Sequence, residues 1–232
     1  MNDERTTRNV ADEPERLTPP DTGVSRAQWV YETLRDGIRL GTWRRGERVR
    51  EETVARALGV SRTPVREALS RLQARGLLEV TANGLVVATI SRPQTLELYA
   101  MREVLEGSAA RFAAQHAAPS EIASLKHLSA AFTEAAGDPA RLANLNRQFH
   151  AAIQDAAHNR YLVRMLEDLS DALALLPGTT FELPERGALA VEEHGAILAA
   201  IERRDPDAAE QAARAHIRRA QEARLELMQR AG

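Results

Sequence analysis

The stretch GVSRTPVREALSRLQARGLL, residues 59–78, decides how the chain is read. Gly59-Val60 supplies a turn. Ser61 supplies a helix start, because a hydroxyl at that position accepts from free backbone N–H groups of the first turn. Pro64 falls inside that turn, where a missing N–H does no harm, and Gly76 offers a left-handed stop. Between them Val65, Ala68, Leu69 and Leu72 recur at i, i+3, i+4 and i+7, one apolar stripe. The other face carries Arg62, Thr63, Arg66, Ser70, Arg71 and Arg75. A short helix with arginines on its exposed front half suits a DNA major groove, since the Arg fork matches guanine O6 and N7. Any amphipathic surface helix of an Arg-rich protein can present such a face, so the flanking elements decide.

Upstream, an amphipathic helix is expected from Ser25 to about Leu40, with Ala27, Val30, Leu34 and Ile38 inward and Gly41 ending it. Residues 46–50 read as a turn and a short extended piece. EETVARAL, residues 51–58, reads as a second helix closed by Gly59. Downstream the periodicity changes. Residues 77–81 read as a strand, Asn83-Gly84 as a two-residue hairpin turn, and residues 85–90 as the returning strand. Helix, helix, turn, helix and hairpin in this order make a winged helix-turn-helix, a DNA-reading module.

The run GERVREETVARALGVSRTPVREALSRLQARGLLEV, residues 46–80, resembles the DNA-binding domain of the GntR family of bacterial regulators. The resemblance implies base or phosphate contacts by Arg62, Thr63 and Arg66. It places Ser61 at the start of the recognition helix and the wing glycine, Gly84, against the minor groove. One position departs from the pattern. The preceding helix usually carries a DNA-contacting Arg where this chain has Glu52. An acid cannot pair with phosphate, so that contact is expected to be lost, with neighbouring Arg50 the candidate substitute.

Charge is distributed to match. The net charge of −2 conceals an N-terminal block, residues 24–90, with 12 Arg against 7 acids, and a following block, 91–232, with 16 bases against 20 acids. A basic module joined to an acidic one fits a phosphate binder fused to a separate domain. With no cysteine in the chain, disulfides, thiolate metal sites and a cysteine nucleophile are excluded. The N-terminus lacks a basic segment followed by an apolar run, so no signal peptide is expected. No stretch approaches the roughly 18 apolar residues of a membrane span, and a cytoplasmic protein is expected. Residues 1–23, polar and with Pro14, Pro19 and Pro20, read as a disordered tail. Of the 31 basic residues only Lys126 is not Arg, which points to a GC-rich genome.

Ser91-Arg92-Pro93 marks the boundary to an all-helical bundle over 91–232. Six helices are expected, near 94–116, 120–136, 139–157, 160–176, 186–203 and 206–230. The fold class is therefore mainly α: a winged helix-turn-helix with a small hairpin, then a helical domain able to bury one core.

Six histidines lie in that second domain. His116, His127 and His158 fall near helix ends or on polar faces and read as solvated. His150, His194 and His216 lie on inward faces of three different helices. A single such histidine is ordinarily a satisfied core residue. Three in one bundle need three sets of partners, and one divalent ion would serve them all. Asn146 stands one helical turn before His150, placing an oxygen beside a nitrogen.

This half resembles the FCD effector domain of the FadR branch of GntR regulators. The matching features are RxxLE at Arg102–Glu106, NxxFH at Asn146–His150, Asn159, His194 and His216. The resemblance implies a metal held by Asn146, His150, His194 and His216, with Asn146 standing where many members have Asp. Three imidazoles and one oxygen suit zinc, nickel or a similar transition ion. It also implies a small organic acid in the open coordination positions. Arg102 is its candidate second partner; the alternative is an Arg102–Glu106 pair on a solvated face.

The chain is thus read as a bacterial one-component transcription regulator, in this family most often a repressor. It would bind an inverted-repeat operator as a homodimer and be controlled by a small carboxylate at the metal site. Two other classes compete. A metal-dependent hydrolase would need a general base near the histidines, and no carboxylate stands at diagnostic spacing. A structural DNA-binding protein without a ligand leaves the histidine cluster unexplained.

Overall fold

The structure is a computed structural model and describes residues 23–231; the expected tail of residues 1–23 lies almost wholly outside them. The chain divides into two compact units between Ala88 and Thr89.

The first unit opens with α1, Arg26–Arg39, whose N-cap Ser25 accepts from the Gln28 backbone N–H. Next come α2, Glu51–Leu58, closed by left-handed Gly59, and α3, Arg62–Ala74. All four expected stripe residues of α3 are buried. Val30 and Leu34 of α1, Val54 and Leu58 of α2, and Leu77 are buried as well. Gly76, at φ +72°, lets Leu77 N–H return to the Leu72 carbonyl at 3.0 Å and end α3.

Two details depart from the sequence reading. Ser61 is the N-cap of α3, but its side chain makes no capping hydrogen bond, which leaves the hydroxyl on the exposed surface. The hairpin of β1, Leu78–Thr81, and β2, Gly84–Val87, turns at Ala82-Asn83 rather than Asn83-Gly84. The observed register pairs Leu78 with Val87, both buried. The expected turn would place Leu78 opposite Thr89, so side-chain burial sets the register. The Thr81 hydroxyl holds the loop, donating to the Gly84 carbonyl at 3.1 Å and accepting from Asn83 N–H at 3.2 Å. β2 also ends at Val87, shorter than expected. Its other edge is covered by residues 46–49, through Val49 N–H to the Leu85 carbonyl and Val87 N–H to the Glu47 carbonyl, both 2.9 Å.

The second unit is a bundle of α4 (Arg92–His116), α5 (Pro119–Glu134), α6 (Pro139–Ala156), α7 (Arg160–Ala174), α8 (Arg186–Glu202) and α9 (Pro206–Ala231). Ser91 and Gln94 form a capping box on α4. Asp138 caps α6, and Asn159 caps α7 by accepting from Tyr161 and Leu162 N–H. The α7–α8 connection contains one 3-10 turn, Thr180–Glu182. Small residues let α4 and α9 approach closely. Ala109, Ala113, Ala209 and Ala213 share the main core cluster. A Cβ on Gly107 would stand 2.8 Å from Arg214 Cγ. This proximity brings polar groups of α4 and α9 to one point inside the bundle. Among the described residues, no helix is long and apolar enough to cross a membrane.

Candidate metal centre and nucleic-acid interface

On the first unit, Arg62, Thr63 and Arg66 of α3 and its N-cap Ser61 are all exposed, and so is Arg50, the N-cap of α2. Arg50, Arg62 and Arg66 line one open cleft with Arg48, Glu51 and Glu52. Gly84 sits beside it at φ +98°, with the Arg48 guanidinium 3.4 Å from where a Cβ would be. The arginines are not idle. Arg66 grips Glu51 through Nε and Nη2, both at 3.2 Å. Arg62 reaches Glu52 at 3.2 Å and Glu51 at 3.4 Å. Glu52 therefore faces an arginine of α3. Hydrogen bonds from Arg66 hold the Glu51 carboxyl below its usual range. Arg71 belongs elsewhere: it lies 4.1 Å over the Tyr31 ring and donates to Gln28 at 2.8 Å, tying α3 to α1.

On the second unit, α6, α8 and α9 bring His150, His194 and His216 together, with one nitrogen of each within 4.8 Å of the others. His150 Nε2 and His216 Nε2 are 3.1 Å apart. Each ring turns its other nitrogen to a buried carboxylate. His216 Nδ1 is hydrogen-bonded to Glu193 Oε2 at 2.6 Å, and His150 Nδ1 lies 2.6 Å from Glu106 Oε2 in a close contact without aligned hydrogen-bond geometry. His194 is fully buried, stacked on Phe149 with ring centres 4.4 Å apart and tilted against Phe132 at 4.7 Å. Neither of its ring nitrogens has a hydrogen-bond partner among the described residues. Asn146 is half-buried one turn before His150 on α6. His116, His127 and His158 are exposed, as expected.

Electrostatics favour a neutral ring at His194 and at His216. Burial, reinforced by the neighbouring imidazoles and by Arg186, holds His194 and His216 well below the ordinary histidine range. Burial also opposes ionisation of Glu106, but Arg102 and His150 outweigh it and keep the carboxyl well below its usual range.

Sequence reasoning missed Glu106 and Glu193 as partners of the histidines. Both carboxylates stand beside the imidazoles, although no diagnostic spacing in the sequence marks them. Glu106 and His150 are 44 positions apart in sequence and meet only because α4 lies against α6. The role they can play is orientation: a carboxylate on Nδ1 fixes the tautomer and turns Nε2 toward a common point. The solvated Arg102–Glu106 pair is corrected too. Both residues are 7% exposed, bonded at 2.8 Å, with Arg102 over the Tyr99 ring.

Comparison with known proteins agrees with both halves. The model described as "Bacterial regulatory proteins, gntR family" matches residues 26–85, and the FCD domain model matches 97–219. The HTH-type transcriptional regulator YdhC of Bacillus subtilis (strain 168) is 31% identical over 193 residues, covering 81% of this chain and 85% of that one. A protein of Paenarthrobacter nicotinovorans described as "Probable D-xylose utilization operon transcriptional repressor" is 34% identical over 176 residues, covering 74% and 76%. The solved structure of E. coli McbR/YncC superposes with a TM-score of 0.77 at 26% identity, covering 88% of this chain and 99% of that one. The matched domains and relatives are regulators rather than enzymes. With a DNA-reading head at 26–85 and an FCD domain behind it, this chain belongs to the GntR family of bacterial transcription regulators.

Proposed function

We propose that the protein is a repressor that binds an inverted-repeat operator as a homodimer and is controlled by a divalent transition metal and a small carboxylate in the FCD domain. Two-fold pairing of two reading helices on a palindromic site is the ordinary geometry of such heads. The reading face comprises Ser61, Arg62, Thr63 and Arg66 of α3, with Arg50 and the wing glycine Gly84 beside it.

The observation that carries the sensing half is the arrangement of the ring nitrogens. With Nδ1 of His150 and of His216 turned to carboxylates, the two Nε2 atoms face one another at 3.1 Å. Two electron-pair acceptors that close repel unless a proton or a cation lies between them. A proton would serve that pair alone and leave His194 with both nitrogens unmet, a costly state for a buried polar group. A metal ion serves all three rings. His150, His194 and His216, with Asn146, would hold it, and neutral imidazoles suit zinc or nickel. Once bound, the ion supplies a Lewis-acidic seat for a carboxylate.

The chain's own residues do the rest. Glu106 and Glu193 orient the rings, and Arg102 acts through Glu106 by holding it ionised. The pocket that reaches Glu106 and His150 measures only about 10 Å³, room for about one water. A larger acid can enter only a more open packing of α4, α6, α8 and α9. Binding thus selects a different arrangement of the domain, the differential interaction that a ligand switch needs. Elemental analysis of the full chain tests the centre. About one zinc or nickel per chain is expected, and none in His150→Ala; equal metal content in the two would overturn the assignment.

A further inference from the structure

Three arginines are buried in the second unit among the described residues: Arg102, Arg186 and Arg224. Their partners differ. Arg102 is bonded to Glu106 and lies over Tyr99. Arg224 donates to the carbonyls of Pro177 and Gly178. Arg186, 5% exposed, gives only Nη2 to Glu193 Oε2 at 2.9 Å. Its Nε and Nη1 are buried and have no hydrogen-bond partner among the described residues, and Cζ lies 5.9 Å from the centre of the Phe181 ring. A buried cation with donors unmet is a high-energy arrangement that an anion relieves.

The charge count points the same way. Glu193 is the one carboxylate bonded to Arg186, and it is shared. Oε2 also faces His216 Nδ1 at 2.6 Å, while Oε1 faces Arg219 at 3.4 Å. The Arg219 side chain is 57% exposed and solvated, so Arg186 is the buried guanidinium that depends on this shared carboxylate. The Arg102–Glu106 pair beside it is already balanced. A divalent ion held by neutral imidazoles would add two further positive charges to the same interior. Arg186 is also close to the imidazoles, joined to His216 through a single Glu193 oxygen.

We propose that Arg186, rather than Arg102, receives the effector's carboxylate. The assignment builds on the metal-centre reading above, yet the Arg186 site is defined by its own unmet donors. A carboxylate supplies the acceptors that Nε and Nη1 lack, and its hydrogen bonds to a guanidinium are of the strong, charge-assisted kind. Arg186 stands at the start of α8, which also carries Glu193 and His194. A ligand seated there bears directly on the helix that holds two elements of the centre.

The test uses the full chain, purified with its metal and again after chelation, with acetate, succinate and inorganic phosphate as probes. Thermal shift and calorimetric titration read binding. Wild-type protein is expected to be stabilised by a carboxylate probe. Arg186→Gln should bind it about ten- to a hundredfold more weakly, the loss of a charge-assisted hydrogen bond. Arg186→Lys, which keeps the charge toward Glu193, should fall between and guards against a mere folding defect. Arg186→Gln should keep its metal content. Equal carboxylate binding by wild type and Arg186→Gln overturns the proposal and leaves the metal reading intact. No binding of either carboxylate by wild type, or binding of phosphate alone, also overturns it. Arg186-dependent carboxylate binding in a chain that holds no metal supports Arg186 and sinks the metal reading instead.

Discussion

The two units use the same side chains in opposite ways. In the DNA-reading head, Arg62 and Arg66 pair with Glu51 and Glu52 on the open surface, with 57% and 69% of the two arginine side chains exposed. In the effector domain, Arg102 pairs with Glu106 and Arg186 with Glu193 where almost no surface remains. Exposed pairs gain little and are screened by salt. Such arginines can exchange a carboxylate for a phosphate or a base edge at small expense. Buried pairs cannot be broken singly without stranding a charge. The first arrangement suits a surface that must change partners. The second suits a scaffold that holds three imidazoles in place.

The largest effect is expected inside the bundle. Glu106→Ala strands the Arg102 guanidinium and frees the His150 ring, so the domain should lose about 3–5 kcal/mol, measured by denaturant unfolding. A loss below about 1 kcal/mol would show that water reaches the pair and that the contrast between units is overstated. Glu106→Gln, closer in shape, should instead lower metal affinity about ten- to a hundredfold, read by competition with a chelating dye. Unchanged affinity would remove Glu106 from the centre. In the head, Arg66→Ala should weaken operator binding about ten- to a hundredfold and relax specificity. An unaltered gel-shift titration would exclude it from the reading face. The smallest effect belongs to Glu52→Gln. Removing an acid beside Arg62 should raise affinity for operator and random duplex alike, only a few-fold and mainly at low salt. A fall in affinity would mean that Glu52 positions Arg62 for its contact.

The contrast also governs what could be read from sequence. The α3 stripe and the helix breaks are local, and each appeared where its spacing put it. The inward faces of His150, His194 and His216 followed from helical period alone. What the sequence hid were contacts between helices: Glu106 with His150, Glu193 with His216 across 23 positions, and Arg71 captured by Tyr31 from α1. An Arg on a helix face looks alike whether it faces water, DNA or a neighbouring helix. The hairpin slipped for a related reason. Asn-Gly is a strong turn signal, but burial of Leu78 against Val87 overrode it. Arg186 was invisible because its distinguishing feature, two unmet donors, exists only once the neighbours are in place.

The central claim is that the histidine centre and the DNA head are coupled. It is tested most directly by titrating the full chain, metal-loaded and then chelated, against an operator selected from random duplexes. Operator affinity is predicted to differ between the two forms by about 5- to 150-fold, the usual range of such coupling, and the difference should vanish in His194→Ala. Identical affinities in the loaded and chelated wild-type protein would contradict the account.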